Sequence, residues 1–145
     1  MDKNSNIARV ETTIKASVET VWHALTTPDI VKQYMFGAEV ISDFKQGSDI
    51  RWVGEWKGKR FEDRGKIVSI ENNRLLQYSH FSPLSGESDV PENYHLVTIS
   101  LTERGGKTAV SLEQGNNKSA EAKAHSEENW KAMLKSLKDL VERRG

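Results

Sequence analysis

Few residues of this chain combine the type and spacing that chemistry requires. Its four histidines, His23, His80, His95 and His125, show no paired spacing, and no H-E-x-x-H or comparable ligand set is present, so no metal site is expected. The chain has no cysteine, which excludes a thiolate nucleophile, a disulfide framework and a cysteine metal site. There is no glycine-rich phosphate cradle and no G-x-S-x-G elbow, since Ser85-Gly86 lacks the first glycine. Glu62 and Asp63 are adjacent, so on a strand they point to opposite faces and do not pair. The sequence therefore nominates no catalytic residue and no cofactor.

Aromatic residues are the more informative group. Trp52, Trp56, Phe61 and Tyr78, brought to one concave face, make a wall suited to a flat or lipid-like ligand. Ordinary core packing is the competing account of each. His80 and Gln114 reach the same interior from their strands, where polar groups orient a ligand or hydrogen-bond one another.

The element expected to close that interior is the last one. Residues 119–145 read as one long helix that changes character halfway. Trp130, Met133, Leu134, Leu137, Leu140 and Val141 recur at three and four and stack on one face, with Trp130 as the anchor. One and two turns earlier the same face carries Ser126 and Ala122, with Asn129 at its border. Small groups there leave space beneath the helix, or else let it approach its partner closely. Asn117 or Ser119 caps the start, Glu121 sits in the first turn, and Arg143 and Arg144 sit in the last.

Upstream, alternation predicts a strand at 7–14, followed by a helix from Val18 capped by Ser17 with the stripe Val21, Trp22 and Leu25. Thr27-Pro28-Asp29 starts a second, short helix with a capping hydroxyl and proline at the first position. Strands follow at 38–41, 48–56, 59–70, 75–81, 94–103 and 108–114, with Gly65 marking a bend or bulge. The connections are too short for parallel crossovers. An α+β domain results: a curved antiparallel sheet of about six or seven strands gripping a long C-terminal helix, with two short helices after the first strand.

At 145 residues the chain is expected to form one domain, residues 1–145. Its 21 basic and 21 acidic residues balance, so no net field draws nucleic acid or an anionic membrane. No stretch approaches the ~20 apolar residues of a membrane span, and the polar N-terminus lacks the apolar core of a signal peptide. A cytoplasmic protein is expected.

The order of elements and several motifs resemble the START-like (SRPBCC, helix-grip) superfamily. Val21-Trp22-His23-Ala24-Leu25-Thr26-Thr27-Pro28 is similar to its opening signature, and Gly65 to Val68 followed by Asn73-Arg74-Leu75 to its strand-turn-strand. Val97 to Leu101, the turn Gly105-Gly106-Lys107-Thr108 and Val110-Ser111-Leu112 resemble its hairpin. Asn129-Trp130 with Leu134 and Leu137 resembles its final helix, although glycine is usual where Asn129 stands. Together these are similar to the subfamily of the activator of the heat-shock-protein-90 ATPase. The superfamily it resembles includes lipid and steroid carriers, hormone receptors and polyketide cyclases; taken with the aromatic wall, a non-enzymatic carrier or sensor of a small hydrophobic molecule, lipid-like or polycyclic aromatic, is expected. The ligand-facing residues are then Trp52, Trp56, Phe61, Tyr78, His80, Gln114, Ala122, Ser126 and Asn129. Two alternatives stand beside it. One is a polyketide-cyclase-like enzyme using His80 or a buried acid as proton shuttle. The other is a chaperone-interacting module.

Overall fold

The computed structural model describes residues 6–35, 37–56, 58–83 and 86–144, with Trp56 and Arg144 as backbone only. The chain runs β1 (Ala8–Ile14), α1 (Val18–Thr26), α2 (Pro28–Tyr34), β2 (Glu39–Ser42), β3 (Asp49–Trp56), β4 (Lys59–Glu71), β5 (Leu75–His80), β6 (His95–Arg104), β7 (Lys107–Gln114) and α3 (Ala120–Arg144). A short 3-10 turn, Pro91–Asn93, precedes β6. The seven strands form one sheet in the order β1-β7-β6-β5-β4-β3-β2, with every pairing antiparallel. This is the helix-grip architecture expected from the alternating strands and the final stripe.

Local chemistry accounts for the elements. Ser17 caps α1 by accepting the Thr20 N–H at 3.2 Å. Thr27 does not cap α2 in this way; its hydroxyl pairs with His23 Nδ1 at 3.2 Å, and Pro28 at the first helical position leaves one fewer N–H to satisfy. The Tyr34 hydroxyl donates to Ala24 O at 3.0 Å, tying α2 to α1. Gly105 and Gly106 both have positive φ (57° and 81°), which suits the two-residue turn joining Arg104 to its partner Lys107. Ser119 caps α3 by accepting the Ala122 N–H at 3.0 Å.

Period-two alternation then sends Ile50 and Trp52 of β3, Ile67 of β4, Leu76 and Tyr78 of β5, Val97, Ile99 and Leu101 of β6, and Val110 and Leu112 of β7 into the core. Helix α3 lies closest to β1 and buries Met133, Leu134, Leu137 and Val141. Helices α1 and α2 add Val21, Trp22, Leu25, Val31 and Tyr34 to the same core. No helix among the described residues is long and apolar enough to cross a membrane.

Two local expectations change. The irregularity in β4 falls at Ile67/Ser69 rather than at Gly65. Gly65 serves a close approach instead: a Cβ there would lie 1.7 Å from Ser79 O. Trp130 is only partly buried, and packs on the core without being enclosed by it.

Candidate functional site

A cavity of about 450 Å³ opens where α3 leaves the sheet over β3, β4 and β5. Its size is that of an ordinary small-molecule site. Three strands supply its wall in pairs: Trp52 and Glu55 from β3, Phe61 and Asp63 from β4, Tyr78 and His80 from β5. Met35 and Ala38 close one end from the segment between α2 and β2, Ser82 extends β5, and Asn129 and Trp130 come from α3.

Register explains the aromatic wall. Gly54 pairs with Phe61 and Trp52 with Asp63 across β3 and β4, while Ile67 pairs with Tyr78 across β4 and β5. Gly54 has no side chain, and the Phe61 ring occupies the space: a Cβ at Gly54 would come within 2.8 Å of Phe61 Cζ. Trp52 and Tyr78 are both buried, with ring centroids 5.1 Å apart and planes tilted by 47°. Burial pushes the Tyr78 phenol well above its usual range, so it stays a protonated donor, and among the described residues its hydroxyl has no hydrogen-bond partner. A smaller space of about 30 Å³ lies behind Trp52 and Tyr78, against Tyr34 and Ile50.

The polar part of the wall is an Asp–His pair. Asp63 and Phe61 share the inward face of β4, and the Arg64–Phe81 bridge together with the Ile67–Tyr78 pairing sets Gly65 opposite His80. With no side chain between them, His80 leans over Gly65 and its Nε2 reaches Asp63 Oδ2 at 2.8 Å. Asp63 Oδ1 is enclosed and has no partner among the described residues. The His80 ring meets Trp52 edge-on, centroids 5.0 Å apart, and stacks at 6.4 Å on His95. His95 is held in turn by Gly115 O, 3.0 Å from Nδ1, and burial lowers its pKa.

Of the residues nominated from the sequence, Trp52, Phe61, Tyr78, His80 and Asn129 converge on this cavity. The side chain of Trp56 lies outside the described residues. Gln114, Ala122 and Ser126 stand apart from the cavity. The space expected beneath the small residues of α3 is filled by a polar cluster: Gln114 Nε2 donates to Asn117 Oδ1 at 3.2 Å and to Ser126 Oγ at 3.3 Å, and Ser126 Oγ donates to Asn117 Oδ1 at 3.0 Å. The Trp130 indole N–H donates to Gln114 Oε1 at 2.6 Å, so the residue expected to be an anchor alone is also a cavity wall. Gln114 thus reaches the cavity wall only through its hydrogen bond with Trp130. Asp63 joins the site although its sequence neighbour Glu62 takes no part in the wall. Its spacing of two from Phe61 is the sequence signal that could have placed it on the inner face.

Comparison with known proteins agrees with this architecture. The family model of the activator of Hsp90 ATPase homolog 1-like proteins matches residues 15–142. The chain belongs to that family. Protein ChR145 from Cytophaga hutchinsonii, known from a solution structure, is similar over 95% of this chain and 94% of its own, with 52% identity and a TM-score of 0.84. MLL2253 from Mesorhizobium loti shares the fold at 21% identity and a TM-score of 0.78, over 96% of this chain and 98% of its own. The Aha1 dimer from Colwellia psychrerythraea does so at 24% identity and a TM-score of 0.74, over 94% and 96%. No protein of curated function is similar enough to the chain to count as a match.

Proposed function

We propose that this protein binds a small, largely apolar and flat molecule in the cavity between α3 and strands β3, β4 and β5, and acts as its carrier or sensor. The observation that carries this reading is the composition of the wall: three rings, Trp52, Phe61 and Tyr78, around a space of about 450 Å³. Burial of ligand surface supplies affinity at about 25 cal/mol per Å² of apolar area, and the few polar groups supply orientation.

Two measurements test it. Native mass spectrometry of the purified full chain should show a co-purified small molecule. Titration with an apolar naphthalene probe should change the emission of Trp52 and Trp130, which line the cavity. A chain that carries nothing and binds no such probe overturns the reading.

Catalysis in the same cavity is supported by one observation, the Asp63–His80 pair at 2.8 Å, an arrangement suited to proton transfer. A bound molecule recovered with altered mass after incubation, unaltered with the Asp63→Leu/His80→Phe double variant, favours that reading over carriage.

A further inference from the structure

We propose that the Asp63–His80 pair makes the cavity selective for an aromatic molecule bearing a hydrogen-bond donor, a phenol-type hydroxyl in its simplest form. The proposal rests on the reading of the cavity as a ligand site. An ionised carboxylate only accepts, so the hydrogen shared between Asp63 Oδ2 and His80 Nε2, 2.8 Å apart, belongs to the imidazole. A neutral His80 then carries a bare lone pair on Nδ1.

No described residue hydrogen-bonds that nitrogen. Nor is it sealed away. Asp63 Oδ1 is the only fully enclosed side-chain nitrogen or oxygen without a partner among the described residues, and the His80 side chain, on the cavity wall, is 27% exposed. The ring has little freedom to turn, because Trp52 stands edge-on to it at 5.0 Å and His95 stacks on it at 6.4 Å. Asp63 adds to this constraint. Its other oxygen is enclosed and unpartnered, so among the described residues His80 is the one donor to the Asp63 carboxylate. The cavity therefore offers a fixed acceptor among aromatic rings. An apolar guest without a donor covers Nδ1 and leaves it unpaired, whereas a phenol in the same place donates to it.

The full chain is titrated at pH 8 with naphthalene, 2-naphthol and 2-methoxynaphthalene, in which the hydroxyl is capped. 2-Naphthol is expected to bind roughly tenfold more tightly than 2-methoxynaphthalene. In the Asp63→Leu/His80→Phe double variant, which leaves no lone buried charge, the ratio of 2-naphthol to 2-methoxynaphthalene affinity should shrink to within about twofold. Imidazole 15N spectra give a readout that a merely structural pair would not move. His80 should be the Nε2–H tautomer, and its Nδ1 resonance should shift with 2-naphthol and not with the methyl ether. Equal affinity of the parent for 2-naphthol and its ether, or a preference that survives in the double variant, overturns the selectivity and leaves the carrier reading intact. Failure of all three probes to bind the parent overturns the carrier reading and this proposal with it.

Discussion

Gln114 on β7 accepts the indole N–H of Trp130 at 2.6 Å and so ties α3 to the sheet. The same amide donates to Asn117 and Ser126, and the Asn117 amide donates in turn to Asn6 O at 2.8 Å and Gln114 O at 2.9 Å. Every member has a partner, which is the condition under which a buried polar cluster rigidifies a corner instead of weakening it. The cluster holds the N-terminal half of α3 down on one side, and the cavity opens on the other.

Gln114→Ala should lower stability by about 2 kcal/mol, since it strands the donors and acceptors of Trp130, Ser126 and Asn117 in a semi-enclosed site. Trp130→Ala should cost about 3 kcal/mol, the low end for loss of a large core side chain, because Trp130 is only partly buried. Urea melts measure both. The double variant should cost less than the two singles summed, because Gln114 acts through Trp130; simple additivity would separate the two residues.

Gly65 is the second constraint on the site. A methyl group there would lie 1.7 Å from Ser79 O and 2.6 Å from Ser79 C, both backbone atoms that no side-chain rotation can move. Gly65→Ala should therefore push β5 away from β4, at a cost of about 3 kcal/mol. Gly54→Ala meets only the tip of the Phe61 ring, at 2.8 Å, and should cost about 1 kcal/mol while turning Phe61 into the cavity. Thermal unfolding should rank Gly65→Ala well below Gly54→Ala. The reverse order would contradict the packing at both glycines.

Alternation made much of this legible. A period of two separates Trp52 from Arg51 and Val53, and a period of three to four separates Met133, Leu134, Leu137 and Val141 from the charged face of α3. Those patterns report which face a residue takes, and the fold follows from faces. They do not report register. Whether Asp63 stands opposite Trp52, and whether His80 falls within reach of it across Gly65, depends on pairings between strands distant in sequence. Small residues at Ala122 and Ser126 likewise left open whether space or a partner lay beneath. The answer was the length of the Gln114 side chain, which fills the gap from the neighbouring strand.

His95 should make stability depend on pH in a defined direction. Burial, the largest influence, lowers its pKa below the ordinary 6.5; the nearby His80 adds to this, and the hydrogen bond to Gly115 O opposes it. In the unfolded chain the group takes up its proton near 6.5, whereas in the folded chain it does so only at lower pH. The unfolded state thus binds more protons between those values. Stability is fully present above about pH 6.5 and falls as the pH drops toward the folded-state pKa. His95→Gln, which keeps a donor for Gly115 O, should flatten that part of the curve of melting temperature against pH. An unchanged slope in the variant would assign the acid sensitivity to other groups.

Asn129 and Ser126 lie three residues apart on α3 and separate a filled site from an open one. Ser126 is enclosed by the hydrogen bonds of Gln114 and Asn117, so Ser126→Trp should overpack the corner and cost about 2–3 kcal/mol. Asn129 is exposed yet lines the cavity. Asn129→Trp displaces no packed atoms: it should change stability by less than about 0.5 kcal/mol, as surface substitutions do, while placing an indole where a ligand ring would lie. Apolar probe binding should then be lost in Asn129→Trp and retained in whatever fraction of Ser126→Trp remains folded. If Ser126→Trp is the variant that keeps its stability and loses the probe, the open space lies beneath the small residues of α3, and the cavity at Trp52, Phe61 and Tyr78 is not the binding site.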